Sequence, residues 1–153
     1  MSNPTTNNYK KPVHYNNKEL GLTCGSIAHI DGGVTSSNYA YIQMTMEDCS
    51  AAGSVAWAPC PVAGTVVLIQ TIIDSALITA DAVLTPQINT VAVTGGGITI
   101  AYSGSAVGDV DSSTPTAANT VAVGDSLEVS TNNASANVCI VQIIWKIRVT
   151  TAE

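Results

Sequence analysis

The stretch from Val138 to Val149 constrains the fold more than any other. Cys139, Val141, Ile143, Trp145, Ile147 and Val149 take one parity, and Val138, Ile140, Gln142, Ile144, Lys146 and Arg148 take the other. Successive side chains of a strand point to opposite faces, so the first set makes one wholly apolar face. Burying six such side chains at about 1.5–3 kcal/mol each is worth roughly 10 kcal/mol or more as an upper bound. The second face is apolar at its start and basic at its end. This predicts a strand central in one sheet, with its C-terminal end emerging at a rim or an interface. Val141, Ile143, Trp145 and Ile147 are the candidate residues for core or inter-subunit packing.

Composition extends that reading to the whole chain. Val, Ile and Thr number 49, while Leu, Met, Glu, Gln, Lys and Arg together number 22. β-branched side chains fit a pleated surface and lose rotamer freedom in a helix. A helical bundle is therefore disfavoured and, less firmly, so is a doubly wound α/β fold. At 153 residues the chain is one domain, or one domain with an arm. Charged residues are only 10%, against a usual quarter. The surface must then be largely Thr, Ser, Asn, Gly and Ala, which suits a chain packed against other chains.

Three regions are expected: an extended basic arm (1–18), a loop-rich attachment region with short strands (19–61), and a β-sandwich domain (62–153). The arm is rich in Asn and Thr, with Pro4 and Pro12. Residues 19–37 read as loop with a short strand near Ser26–Ile30, and Tyr39–Met46 reads as a strand. Asp48–Pro61 reads as irregular, because neither proline of Pro59-Cys60-Pro61 can donate within a sheet. Thr65–Ile73 is apolar on both parities and reads as a central, doubly covered strand. Ala82–Ile88 is the next strand, with Pro86 demoting it to an edge or a bulge. Asn89–Val93 continues it or makes a short hairpin. Gly95-Gly96-Gly97 is a tight turn, Ile98–Tyr102 a strand and Ser103–Thr116 a long polar loop. Asn119–Val123 and Ser126–Ser130 flank Gly124-Asp125, a hairpin signal. Short strands spaced by such turns indicate an all-β fold, an antiparallel β-sandwich or jelly roll with an extended N-terminal arm.

Charge is distributed unevenly. Residues 1–18 carry Lys10, Lys11 and Lys18 and no acid, whereas residues 19–145 carry ten acids and neither Lys nor Arg. An acidic body disfavours nucleic acid as a partner, since phosphate binding draws on Lys and Arg. The arm can instead dock on an acidic protein surface, with Tyr9, Lys10, Lys11, His14, Tyr15 and Lys18 as its candidate contacts. The first 20 residues lack the apolar run of a signal peptide. No run approaches the ~18 apolar residues of a membrane helix, so a membrane partner is not expected. Cys24, Cys49, Cys60 and Cys139 are widely and irregularly spaced. Without an export signal, reduced buried thiols are the default, although an even count permits two disulfides.

Residue sets that carry chemistry are sparse. His29 follows Cys24 at C-x4-H spacing, but no second pair completes a zinc site, and His14 lies in the arm. Asp109-Val110-Asp111-Ser112-Ser113 resembles half of a calcium loop and lacks the bidentate Glu, so turn capping explains it better. Gly95-Gly96-Gly97 is followed by no Lys or Arg and is not a phosphate cradle. Aromatic residues able to stack a sugar are few, and Trp57 and Tyr102, the candidates, are expected to pack. No catalytic, cofactor or metal residues are assigned, and the protein is not expected to be an enzyme.

Val62–Val149 resembles a group of small β-rich structural proteins of tailed phages. The residues concerned are Ala63-Gly64-Thr65-Val66, Ile73 to Ala82, Val93 to Ile100, Ser103 to Asp111 and, most closely, Thr114-Pro115-Thr116-Ala117-Ala118-Asn119-Thr120-Val121-Ala122-Val123-Gly124-Asp125. These motifs are turn chemistry and cover a little over half of the chain. The resemblance implies a capsid decoration (cement) protein or a head-fibre base. It implies a homotrimer on the outside of an icosahedral head, assembled in the host cytoplasm and held to the major capsid protein through the N-terminal region. A head fibre is a further candidate partner. In that setting three arms per trimer add through high effective concentration. The alternative is a head-fibre or tail-fibre host-recognition module that binds carbohydrate.

Overall fold

In a computed structural model of the protein, the described residues are 38–50, 54–132 and 135–150. The chain divides into two units, Met1–Tyr39 and Ala40–Glu153. The expected arm and the expected strand at Ser26–Ile30 lie outside the described residues.

The described residues hold ten strands and no helix: β1 (Tyr39–Met46), β2 (Val55–Pro59), β3 (Gly64–Ile73), β4 (Ala82–Ile88), β5 (Val91–Ala92), β6 (Ile98–Ile100), β7 (Val110–Ser113), β8 (Thr120–Val121), β9 (Ser126–Thr131) and β10 (Val141–Val149). They form two antiparallel sheets packed as a β-sandwich. Sheet A runs β1-β10-β3-β7, with β8 also on β3, and sheet B runs β2-β9-β4-β5, with β6 also on β4. The expected all-β sandwich is therefore the fold. It takes in β1 and β2 as well, two strands that precede the expected domain start at Val62. Their inward residues Ile42, Met44, Met46 and Ala56 complete the core.

β10 lies between β1 and β3, the interior position that its alternation demands. Val141, Ile143, Trp145 and Ile147 are fully buried, and so is Cys139 just before the strand. β3 is the other centre of sheet A, but it is covered on one face only. Val66, Ile69, Thr71 and Ile73 face the core, while Ile72 is exposed. The buried set changes parity between Val66 and Ile69 because Lys146 pairs with Leu68 and Ile147 with Val66, leaving Val67 as an extra residue. A bulge of this kind turns the following side chains to the other face, so parity alone assigned β3 two covered faces.

Pro86 does not demote β4. The strand is interior to sheet B, and Pro86 pairs with Val129 of β9. Its carbonyl accepts from the Val93 N–H at 2.9 Å on the opposite side. The missing N–H thus faces the gap between the β6 pairing, which ends at Leu84, and the β5 pairing, which starts at Gln87. No ladder bond is lost there, and the ring is buried. β4 and β5 form the short hairpin that was one of two options, through Asn89 and Thr90, both at positive φ.

Three further expectations are corrected. Within Asp48–Pro61, Val55–Pro59 is a strand. It occupies the edge of sheet B and carries Pro59 as its last residue, which edge geometry tolerates. Within the loop Ser103–Thr116, Val110–Ser113 is a strand on the open side of β3. Gly124-Asp125 is not a hairpin turn: β8 pairs with β3 in sheet A, and β9 pairs with β2 and β4 in sheet B. The turn crosses between sheets, held by the Gly124 N–H on the Cys60 carbonyl and the Cys60 N–H on the Asp125 carbonyl, each at 2.8 Å. Turn residues specify a reversal of the chain; which strand is then met is decided by packing.

Candidate functional site

The outer faces of the two sheets differ in chemistry. On sheet A the register places Gln142, Ile72 and Val110 in one row across β10, β3 and β7. Ile72 and Val110 are 40% and 58% exposed, and Tyr41 on β1 is 60% exposed. The Lys146 ammonium lies 5.8 Å from the centre of the Tyr41 ring, within cation–π range. The Gln142 side-chain oxygen accepts from Gln43 at 3.1 Å and Thr45 at 2.9 Å, joining β1 to β10 through side chains. This face is apolar and amide-rich, with Lys146 and Arg148, the two cations of the described residues, at its C-terminal end.

On sheet B the register aligns Trp57 of β2, Glu128 of β9, Gln87 of β4 and Ala92 of β5. Trp57 is 63% exposed, so it does not pack as expected; Tyr102 is exposed as well. An edge position and small chain neighbours leave most of the indole uncovered by the described residues, and alternation within one strand does not reveal that. Beside it lies a shallow cleft of about 410 Å³, lined by Trp57, Ala58, Pro59, Gly124, Asp125 and Ser126. The Asp125 carboxylate accepts from the Ala122 N–H at 2.7 Å and from Asn89 Nδ2 at 2.8 Å. These two donors hold it below the usual carboxylate range.

The remaining candidates serve the fold. Asp109 caps its own turn by accepting from the Ala106 N–H at 2.7 Å. Burial, and then the charge of Asp109, push the Asp111 carboxyl up. Among the described residues, no three His, Cys, Asp or Glu side chains are grouped to hold a metal. Gly95 sits at φ +71° in the turn expected of it, and the Ser113 hydroxyl donates to the Gly96 carbonyl at 2.7 Å. Tyr9, Lys10, Lys11, His14, Tyr15 and Lys18 lie outside the described residues, as do Cys24 and His29. Val141, Ile143, Trp145 and Ile147 are consumed by the chain's own core, which leaves no side-chain surface there for a second subunit. Among the described residues, Cys49, Cys60 and Cys139 are free and buried. Nothing in their spacing announced that Cys49 and Cys139 are neighbours; the Cys49 N–H donates to the Cys139 carbonyl at 2.8 Å.

The fold and these surfaces define the class: a β-sandwich module with two unlike outer faces. No protein-family model and no curated protein matches the sequence. Among solved structures, the catalytic unit of a thermostable GH87 α-1,3-glucanase from Streptomyces thermodiastaticus is similar at TM-score 0.44 and 12% identity, over 74% of this chain and 26% of that one. This chain therefore spans about a quarter of that unit. The Eiger TNF of S. frugiperda is similar at TM-score 0.39 and 12% identity, over 74% of this chain and 95% of that one. At these scores neither likeness extends to function.

Proposed function

We propose that the protein is a virion structural module of the tailed-phage type. In this reading it is a decoration protein that binds the exterior of an icosahedral head as a homotrimer and stabilises the shell. The outer face of sheet A carries the reading. Tyr41, Ile72 and Val110 stand open on a sheet with few charges, and apolar surface of this kind is a common site of association. The N-terminal region, with Lys10, Lys11 and Lys18, supplies the attachment to the major capsid protein, and a head fibre is a second partner. The protein performs no reaction in this role. Light scattering of the purified chain tests the assembly: a trimer is expected, and a stable monomer at micromolar concentration overturns it. Deleting residues 2–18 should leave a folded oligomer that no longer decorates empty shells. Undiminished decoration would refute anchoring by the arm.

The exposed Trp57 favours a second reading, a carbohydrate-binding module of a fibre. An indole face, with Glu128 and Gln87 beside it to meet hydroxyl groups, has the mixed apolar and polar character of a small-ligand site. Trp57 fluorescence titrated with neutral oligosaccharides tests it. Saturable quenching that is lost in Trp57→Ala supports this reading, and no change at millimolar ligand refutes it.

A further inference from the structure

We infer that Cys49 and Cys139 are a disulfide-forming pair, able to lock the chain just after β1 to the chain just before β10. The backbone already brings them together. The Cys49 N–H donates to the Cys139 carbonyl at 2.8 Å, and Asp48 Oδ1 accepts from the Cys139 N–H at 3.2 Å. A single main-chain N–H···O=C bond of that length keeps the two Cα atoms within about 6.5 Å of each other, inside the ~4.4–6.8 Å that a disulfide spans. Both side chains are fully buried. Cys139 Sγ also lies 3.2 Å from the Ser75 carbonyl oxygen.

Cys60 is no rival partner. It precedes β3, while Cys139 packs on Ser75 beyond the far end of that ten-residue strand. Ten extended residues span about 33 Å. The Cys60 thiol instead donates to the Val62 carbonyl at 3.1 Å.

The chemistry is thiol–disulfide exchange. One cysteine thiolate attacks a small disulfide such as oxidised glutathione, forms a mixed disulfide and releases one thiol. The second cysteine then displaces the other thiol, so the protein loses two protons and two electrons and the oxidant gains them. Burial, together with Cys139 beside it, pushes the Cys49 thiol up to about 12. The closed fold therefore keeps it protonated, and exchange proceeds in chains that are still folding. Once formed, the link closes a ring from residue 49 to residue 139. A ring that long restricts the unfolded chain strongly.

The test is to refold the full chain in a glutathione redox couple and, separately, in excess reductant. The oxidised product should be about 2 Da lighter, with a peptide map that joins Cys49 to Cys139. It should melt roughly 10 °C higher, and reductant should reverse the gain. Cys49→Ser and Cys139→Ser should each abolish the link, and Cys60→Ser should leave it intact. The wild-type peptide map decides the pairing even if a serine variant fails to fold. An unchanged mass, a link to Cys24 or Cys60, or a lower melting temperature on oxidation would overturn the proposal.

Discussion

Replacing Gly64 with Ala should destabilise the sandwich by about 2–4 kcal/mol. Gly64 opens β3 opposite Val149 of β10. A Cβ there would crowd the Arg148 carbonyl oxygen closer than real Cβ contacts come, and would lie 2.9 Å from Ile147 Cγ2. The oxygen belongs to the backbone of the neighbouring strand, so no rotamer change relieves the clash and the strands must part. Parting them strains the Thr150 N–H bond to the Ala63 carbonyl, now 2.9 Å, and the adjoining Thr65–Arg148 pairing. It also lifts Ile147 from its fully buried site. Two or three weakened ladder bonds at about 1 kcal/mol each, with some lost packing, give that range. At roughly 3–5 °C per kcal/mol, the melting temperature falls by about 10 °C. Gly97→Ala is the control: its nearest atom is the Leu84 carbonyl oxygen at 3.8 Å, an ordinary contact. That variant should stay within about 0.5 kcal/mol of wild type. Thermal unfolding followed by circular dichroism measures both. Equal melting temperatures for the two variants would refute the argument from close approach.

Asp125→Asn should flatten the acid limb of the stability curve. The folded carboxyl is held below 3.8 by the Ala122 and Asn89 donors; its contribution is present above the unfolded value and lost as pH falls through the folded one. Urea midpoints between pH 5 and pH 2 check this. Trp145 is fully buried, and its indole N–H has no partner among the described residues. Trp145→Phe removes that donor, relieving about 1–3 kcal/mol and largely offsetting the cavity it leaves, so its net cost should be under about 1.5 kcal/mol. Trp145→Ala should cost about 3–5 kcal/mol in the same denaturation assay. Trp57→Ala should change monomer stability by less than about 0.5 kcal/mol; a loss above 2 kcal/mol would mean that the indole packs after all.

Strand identity was legible where apolar alternation was long. Tyr39–Met46, Ala82–Ile88 and the inward face of β10 follow from parity, because one side of each is pressed into the core. β7 was not legible: Val110–Ser113 is short and carries no buried side chain, so it reads as a polar loop. β2 was hidden by Pro59, which forbids an interior position but permits an edge. Partner choice was the weakest inference. Gly124-Asp125 predicts a reversal, yet the strands on either side join different sheets, since the core decides which face each can cover. The outer-surface features, Trp57 above all, were illegible for a related reason. A large aromatic residue implies burial on average, and its exposure depends on the absence of neighbours that only the folded chain reveals.

The order in which the strands enter the two sheets bears on how the molecule is made. β1 and β3 belong to one sheet, but β10 is the strand seated between them. A growing chain can therefore assemble much of sheet B while β1 still lacks its neighbour. Sheet A closes only after residues 141–149 arrive, and non-local pairing of this kind makes folding slow, on a scale of milliseconds to seconds. Chains that stop short of β10 should present the unpaired edges of β1 and β3 and aggregate, rather than persist as smaller folded domains.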